Sequence, residues 1–223
     1  MGIGLLMLSG EKEALRRERV LELHKEGGRI TLKRELSALD QFVLDFVPLL
    51  EKAGIEYVVV SGYVAIVFGR SRGTEDVDVL IRRPSAAEFH KLWELLEPGF
   101  ECHNAETAEK ALHEYLEAGL ALRFSKKGEF IPNMEVKNAA HTLHQYALDN
   151  RLELLLNGRK VFISPLELQV AYKLYLGSEK DLEDARFLYQ LFKGHLNEKT
   201  LHEAAVGLKV EGRLAWLKRR SPK

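Results

Sequence analysis

The chain is poor in cysteine, in net charge and in long apolar runs, and each shortage excludes something. Cys102 is the single cysteine in 223 residues. It rules out an intramolecular disulfide and a cysteine-rich zinc site, and it reads as a small buried hydrophobe. Lys plus Arg number 33 and Asp plus Glu number 33. Without a global basic field, a polymeric partner would have to meet a local patch. Met1 to Leu8 is apolar but too short to span a bilayer, and it lacks a basic leader. Neither a signal peptide nor a membrane span is expected, and a cytoplasmic location follows as the default. No internal repeat, low-complexity linker, aromatic stacking array or base-reading motif is legible. What remains is globular, with 46% hydrophobic and 30% charged residues. The length suits one large domain, or one domain with a helical appendage.

Val58 to Ile81 organises the rest. Val58-Val59-Val60 is a short β-branched run and predicts a strand buried on both faces. Ser61-Gly62 breaks it, and Gly62 permits a tight turn with close backbone approach to a ligand. Tyr63 to Phe68 predicts a short buried helix ended by Gly69. Asp76-Val77-Asp78-Val79-Leu80-Ile81 predicts a second strand. Alternation places Asp76, Asp78 and Leu80 on one face and Val77, Val79 and Ile81 on the other. Two carboxylates on an otherwise apolar strand are costly to bury. A divalent cation would relieve that cost, and Mg²⁺ favours oxygen ligands while keeping positions open for phosphates.

The order Ser-Gly, short helix, Gly69-Arg70-x-Arg72-x-Thr74-x-Asp76-x-Asp78 resembles the signature of the nucleotidyltransferase superfamily, the fold shared with DNA polymerase beta. It is similar in particular to the abortive-infection (AbiEii-like) nucleotidyltransferases. Ser61 stands where that family has its first Gly. The resemblance implies an α+β fold, with a small mixed sheet flanked by helices. Around it we expect an N-terminal helical extension over 1–54, a catalytic core over 55–164 and a C-terminal helical region over 165–223. It also implies nucleotidyl transfer from a nucleoside triphosphate such as ATP to an acceptor hydroxyl on RNA, a protein or a small molecule, with toxin activity and a cognate antitoxin-like partner among the expectations. Two Mg²⁺ ions would lie between Asp76 and Asp78. Ser61, Gly62, Gly69, Arg70, Arg72 and Thr74 would serve the nucleotide, Thr74 chiefly by shaping the turn. The alternative for each arginine is a surface ion pair with Glu75 or a neighbour. A nucleotide-binding regulator without turnover, or an interaction module on the same fold, stays open as another reading.

Glu135 lies in a strand expected over Glu129 to Lys137, which pairs with one over Leu120 to Phe124. The resemblance puts the superfamily's third carboxylate, usually Asp, at this place and so assigns Glu135 to the metal. The competing reading is an edge-strand glutamate paired with Lys137 or Arg123. A second resembling block contains Lys173 on one helix and Lys180-Asp181-Leu182-x-Asp184 on the next. In the family both turn toward the nucleotide cleft. The alternatives are a lysine snorkelling along an amphipathic helix and carboxylates favoured by a helix N-terminus.

Elsewhere, patterning predicts a helix over Glu11 to Lys25 and another over about Lys33 to Lys52, kinked at Pro48. Ser85 and Glu88 form a capping box for a helix from Ala86 to about Glu97. Phe100 to His103 reads as a strand and Asn104 as a cap for a helix to Ala118. His141 and His144, three apart, lack an acidic or cysteine neighbour that would complete a zinc set. Asn157-Gly158 predicts a hairpin over Arg151 to Ile163. Ser164-Pro165-x-Glu167 predicts a capped helix to Leu176, Ser178 with Asp181 opens the next, and Asn197 to Leu217 is a final helical region.

Overall fold

A computed structural model of the chain describes residues 22–220. The predicted helix over Glu11 to Lys25 falls mostly outside them. Its last residues, from Glu22, belong instead to strand β1 (Glu22–Glu26), which turns at Gly27-Gly28 into β2 (Arg29–Lys33). Strand β3 is Tyr57–Val59, β4 Asp76–Ile81, β5 Phe100–Cys102, β6 Leu122–Lys126, β7 Asn133–Asn138, β8 Leu152–Leu156 and β9 Arg159–Ile163. Among the described residues these form one mixed sheet in the order β1-β2-β8-β9-β3-β4-β7-β6-β5. The mixed sheet matches expectation but is longer than foreseen. Residues 22–33 join it through a parallel pairing of β2 with β8 and do not form a helical extension.

Helix α1 (Ala38–Ala53) starts later than periodicity suggested because Ser37 and Asp40 close a capping box there. It runs unbroken through Pro48. Proline has no N–H, so the Leu44 carbonyl lacks its helical donor, and the Arg159 guanidinium donates to that carbonyl instead. Helix α2 (Gly62–Val67) is short and almost wholly buried, so packing holds it rather than propensity. Helix α3 (Ala86–Leu96) has the expected Ser85–Glu88 box. Asn104 does not cap a helix; its side chain accepts from the Arg123 N–H at 3.0 Å and donates to the Ala121 carbonyl at 2.8 Å, bridging to β6. Thr107 caps α4 (Ala108–Lys110), which continues as a π-helical turn over Ala111–Leu116.

Helix α5 is Thr142–Asp149, α6 Leu166–Leu176, α7 Glu179–Leu191, α8 Glu198–Gly207 and α9 Glu211–Arg219. The predicted box at Ser164 does not form. Glu167 accepts instead from the Asn197 N–H at 2.8 Å, tying α6 to the start of α8. Ser178 caps α7 through the Asp181 N–H as expected. Asn157 and Gly158 both take positive φ in the β8–β9 turn, as a type I′ hairpin requires. No helix among the described residues is long and apolar enough to cross a membrane.

The sheet separates two apolar clusters. Val59, Val77, Val79, Ile81, Met134 and Val136 join α1 and α3 in the main core. Burying each such side chain contributes about 1.5–3 kcal/mol. On the other face Val58 and Leu80 meet Ala147 and Leu148 of α5 and Leu168 of α6 in a smaller cluster. Asp76 and Asp78 share that second face.

Candidate active site

Strand β4 alternates as its sequence demands. Val77 and Val79 enter the main core, whereas Asp76 and Asp78 stay partly exposed on the opposite face. Parallel pairing with β7 sets Asp76 against Asn133 and Asp78 against Glu135. Antiparallel pairing of β6 with β7 adds Arg123 opposite Glu135. The structure therefore brings the three predicted carboxylates to one face. It also satisfies the competing reading of Glu135, whose carboxylate meets Arg123 at 2.8 Å and Lys137 at 3.1 Å. Strand β7 is interior rather than an edge. Lys137 Nζ stands 3.7 Å from Asp78 as well. The Thr74 hydroxyl donates to the Asp76 carboxylate at 2.9 Å and so fixes it while shaping the turn.

Burial pushes the Asp78 carboxyl above its ordinary range. The charges of Asp76 and Glu135 push the same way, while Lys137 and the Ser61 hydroxyl partly offset them. A bound cation would relieve this crowding. As they stand, no three His, Cys, Asp or Glu side chains among the described residues form a closed cage for a metal. The donor chemistry still fits Mg²⁺ at the Asp76–Asp78 pair, because that ion is usually held by one or two carboxylates and substrate phosphates. Glu135 would have to release Arg123 and Lys137 to take part.

Above the carboxylates, Ser61 adopts φ 63° and ψ −131°, a conformation suited to the Gly that the resembling family carries there. The Gln169 side chain braces it. Its amide donates to the Ser61 carbonyl at 2.6 Å, and its oxygen accepts from the Ser61 N–H at 3.3 Å. Exchanging Ser61 for Gly relieves strain of about 1–3 kcal/mol against an entropy cost of about 0.5–1 kcal/mol. The expected net gain is about 1 kcal/mol, read as a melting temperature about 2–4 °C higher. A fall would mean that the Ser61 hydroxyl on Asp78 outweighs the strain.

At Gly62 a Cβ would meet the Arg72 guanidinium, so Arg72 lies directly over the bare turn. Arg72 does not pair with Glu75. It reaches α7, where Asp184 lies 3.1 Å away. Arg70 contacts Glu183 and stands 3.7 Å from Asp184. Gly69 takes φ 106° and ends α2.

Lys173 is not brought to the carboxylate face. Its Nζ lies 2.7 Å from Asp181 and 3.2 Å from Asp184, and its side chain is 2% exposed. It is held in a buried ion-pair cluster and does not snorkel along the helix. Asp184 is wholly buried, and an unpaired buried carboxylate is strongly unfavourable, so Lys173 and Arg72 neutralise it. The second resembling block thus holds Arg72 over the Gly62 turn.

Lys137, read in the sequence only as a possible partner of Glu135, reaches Asp78 as well. Two further contributors were not singled out in the sequence. Gln169 is one turn before Lys173. Asp40, fully buried, accepts from Arg34 at 2.7 and 2.8 Å and from the Tyr63 hydroxyl at 2.9 Å, anchoring α2 to the start of α1.

A cleft of about 250 Å³ opens beside Asp78, between β4 and helices α5 and α6. Tyr172 and His144 line it. Burial raises the Tyr172 hydroxyl, with Asp78 adding to it. Burial lowers His144, as do the nearby His141 and Lys137. A roomier hollow of about 430 Å³ lies along β5 beside Cys102 and His103. It contains none of the predicted site residues, so we place the chemistry at the smaller cleft. Cys102 is half-buried, its thiol 3.4 Å from the Asn104 side-chain oxygen.

No protein-family description matches the sequence, and no curated protein matches it. Solved structures do resemble the fold. An antigenic nucleotidyltransferase-like protein from Paracoccidioides brasiliensis superposes with a TM-score of 0.53 at 20% identity, over 82% of this chain and 94% of that one. The antibiotic-resistance factor ANT(2'')-Ia superposes at 0.50 with 14% identity, over 82% and 97% of the two chains. Its complex with adenylyl-2''-tobramycin superposes at 0.51 with 12% identity, over 78% and 99%. The chain therefore has the α+β architecture of nucleotidyltransferase-like proteins.

Proposed function

We propose that the protein transfers a nucleoside monophosphate from a nucleoside triphosphate to an acceptor hydroxyl, releasing pyrophosphate. One observation carries this reading: Asp76 and Asp78 project from one face of β4, in parallel register with Glu135, beside a glycine turn covered by Arg72. The fold neighbours support it, and one of them was solved with an adenylylated product, which makes ATP the first donor to test. The reaction is largely a matter of positioning and charge neutralisation.

Asp76 and Asp78 would hold Mg²⁺, with Thr74 keeping Asp76 in place. When bound, the ion would neutralise phosphate charge and polarise the reacting phosphorus centre. Arg72, fixed by Asp184, offers a paired donor to the leaving phosphates, with Arg70 behind it. The acceptor oxygen bonds to the α-phosphorus, the bond to pyrophosphate breaks, and the hydroxyl proton passes to water. A second reading, a nucleotide-binding regulator without turnover, is favoured by one feature. Arg123 and Lys137 already occupy Glu135.

Thermal denaturation with each nucleoside triphosphate, with and without Mg²⁺, tests nucleotide binding. A ligand at a hundred times its Kd stabilises the folded state by about 2.7 kcal/mol. We expect a Mg²⁺-dependent rise in wild type that is lost in Asp76→Ala/Asp78→Ala. No rise with any nucleotide would remove both readings.

A further inference from the structure

We infer that the cleft beyond Asp78 is the acceptor subsite, and that it takes a compact, uncharged hydroxyl compound with an apolar, ring-sized body. This rests on the nucleotidyl-transfer reading above. Strand β3 runs antiparallel to β4 with Val59 opposite Val79, so the chain from Val60 to Gly62 moves back toward Asp76. Arg72 packs on Gly62. The basic residues thus lie before the carboxylates along β4, and the cleft starts at Ser61 and Asp78 and extends past them over Leu80. Attacking and leaving oxygens in phosphoryl transfer are roughly in line. Pyrophosphate held on the Arg72 side therefore requires the attacking hydroxyl to arrive from the opposite side, where the cleft opens.

The apolar walls of the cleft are Leu80, Leu143, Ala147, Leu168 and Leu176. Among the described residues, Asp78 is the one carboxylate lining the cleft and Lys137 the one lysine, with no arginine. The two charges lie 3.7 Å apart and offset each other. A polycation would find no acidic wall here, and a polynucleotide would find no row of cations. Tyr172 and His144 supply polar handles beside Ser61, Ser164 and Gln169. His144 Nδ1 is buried with no hydrogen-bond partner among the described residues, so a small turn of the ring toward the cleft would let a ligand hydroxyl satisfy it.

At about 250 Å³ the cleft falls just below the usual range for drug-sized ligands, roughly 300–1,000 Å³. One ring with its hydroxyl fits that space better than a polymer segment. In the step itself the ligand oxygen bonds to the α-phosphorus, and the bonding pair to pyrophosphate leaves with pyrophosphate. The hydroxyl proton goes to water.

The test uses 4-fluorophenol as the probe and fluorine NMR on the full chain. The account expects its line to broaden with wild type, both without nucleotide and with saturating Mg-ATP. Broadening should be lost in Leu143→Trp, at the half-buried rim of the cleft, and in Ala147→Trp, deeper in it. Leu143→Trp should keep the thermal response to Mg-ATP. Spermine at the same concentration should leave the line unchanged. Displacement of the probe by Mg-ATP would make the cleft the nucleoside's, and this inference would fall while the nucleotide site stood. Displacement by spermine, unchanged broadening in folded Leu143→Trp, or no broadening with millimolar probe would each overturn it. Absence of any nucleotide response in wild type would instead count against the nucleotidyl-transfer reading.

Discussion

Asp78→Asn lowers turnover by about a thousandfold and leaves the melting temperature unchanged or raised. The rate term follows from position. Asp78 stands beside Asp76 on the exposed face of β4 and borders the cleft. Loss of one anionic ligand to a catalytic cation removes several kcal/mol of transition-state stabilisation, and about 4 kcal/mol corresponds to about a thousandfold. The stability term follows from electrostatics. Burial, and repulsion from Asp76 and Glu135, raise the Asp78 carboxyl in the folded state above its ordinary value. The folded state then binds the proton more tightly than the unfolded one, so its stability falls as pH rises through that window. At neutral pH the charged carboxylate destabilises the fold, and the neutral amide removes that effect. A large fall in melting temperature would show that Asp78 is a structural group. Retained turnover would show that the site is elsewhere.

The second large effect is on stability and comes from Asp40. Asp40→Ala is expected to cost about 3–5 kcal/mol, because it leaves the Arg34 guanidinium and the Tyr63 hydroxyl buried without their anion. For a chain of this size that is a fall of about 6–20 °C in melting temperature. Tyr63→Phe removes a single bond to a charged acceptor and should cost about 1.5–3 kcal/mol. Burial alone would raise the Asp40 carboxyl, but bonds from Arg34 and Ser37 prevail and hold it below 3.8. Its contribution is therefore present above pH 3.8 and is lost as pH falls through the lower folded value. Denaturation followed from pH 7 to pH 2 would check the sign. Wild type should lose stability relative to Asp40→Ala only at the acid end. An equal difference across the range would deny the carboxylate its role.

The sequence was most informative where local rules and packing agree. Alternation on Asp76 to Ile81 placed both carboxylates on one face. The Ser85–Glu88 box and the Asn157-Gly158 turn formed as local chemistry requires. Glu22 to Lys25 failed because a charge-rich run without a clear stripe can serve an outer strand as well as a helix, and the pairing of β2 with β8 lies over a hundred residues away. Ser164 failed as a cap because Glu167 found a better partner in the Asn197 N–H. Lys173 carried a legible resemblance, but its partners, Asp181 and Asp184, sit on the facing side of the next helix. Whether those charges face a ligand or each other depends on helix packing. Asp40 was invisible for the same reason. Its spacing from Ser37 marks a cap, but nothing in the sequence says that Tyr63 reaches it.

The central claim is transfer of the α-phosphoryl group, and isotope position tests it most directly. Wild type with Mg²⁺ would be incubated in parallel with ATP labelled at the α- or the γ-phosphate and a pool of small hydroxyl compounds. The account predicts that α-label enters an acceptor product, that γ-label appears as pyrophosphate, and that Asp78→Asn yields neither. Transfer of γ-label to the acceptor would contradict it. So would Mg²⁺-dependent binding of ATP with no pyrophosphate formed, which would leave a nucleotide-binding regulator on this fold.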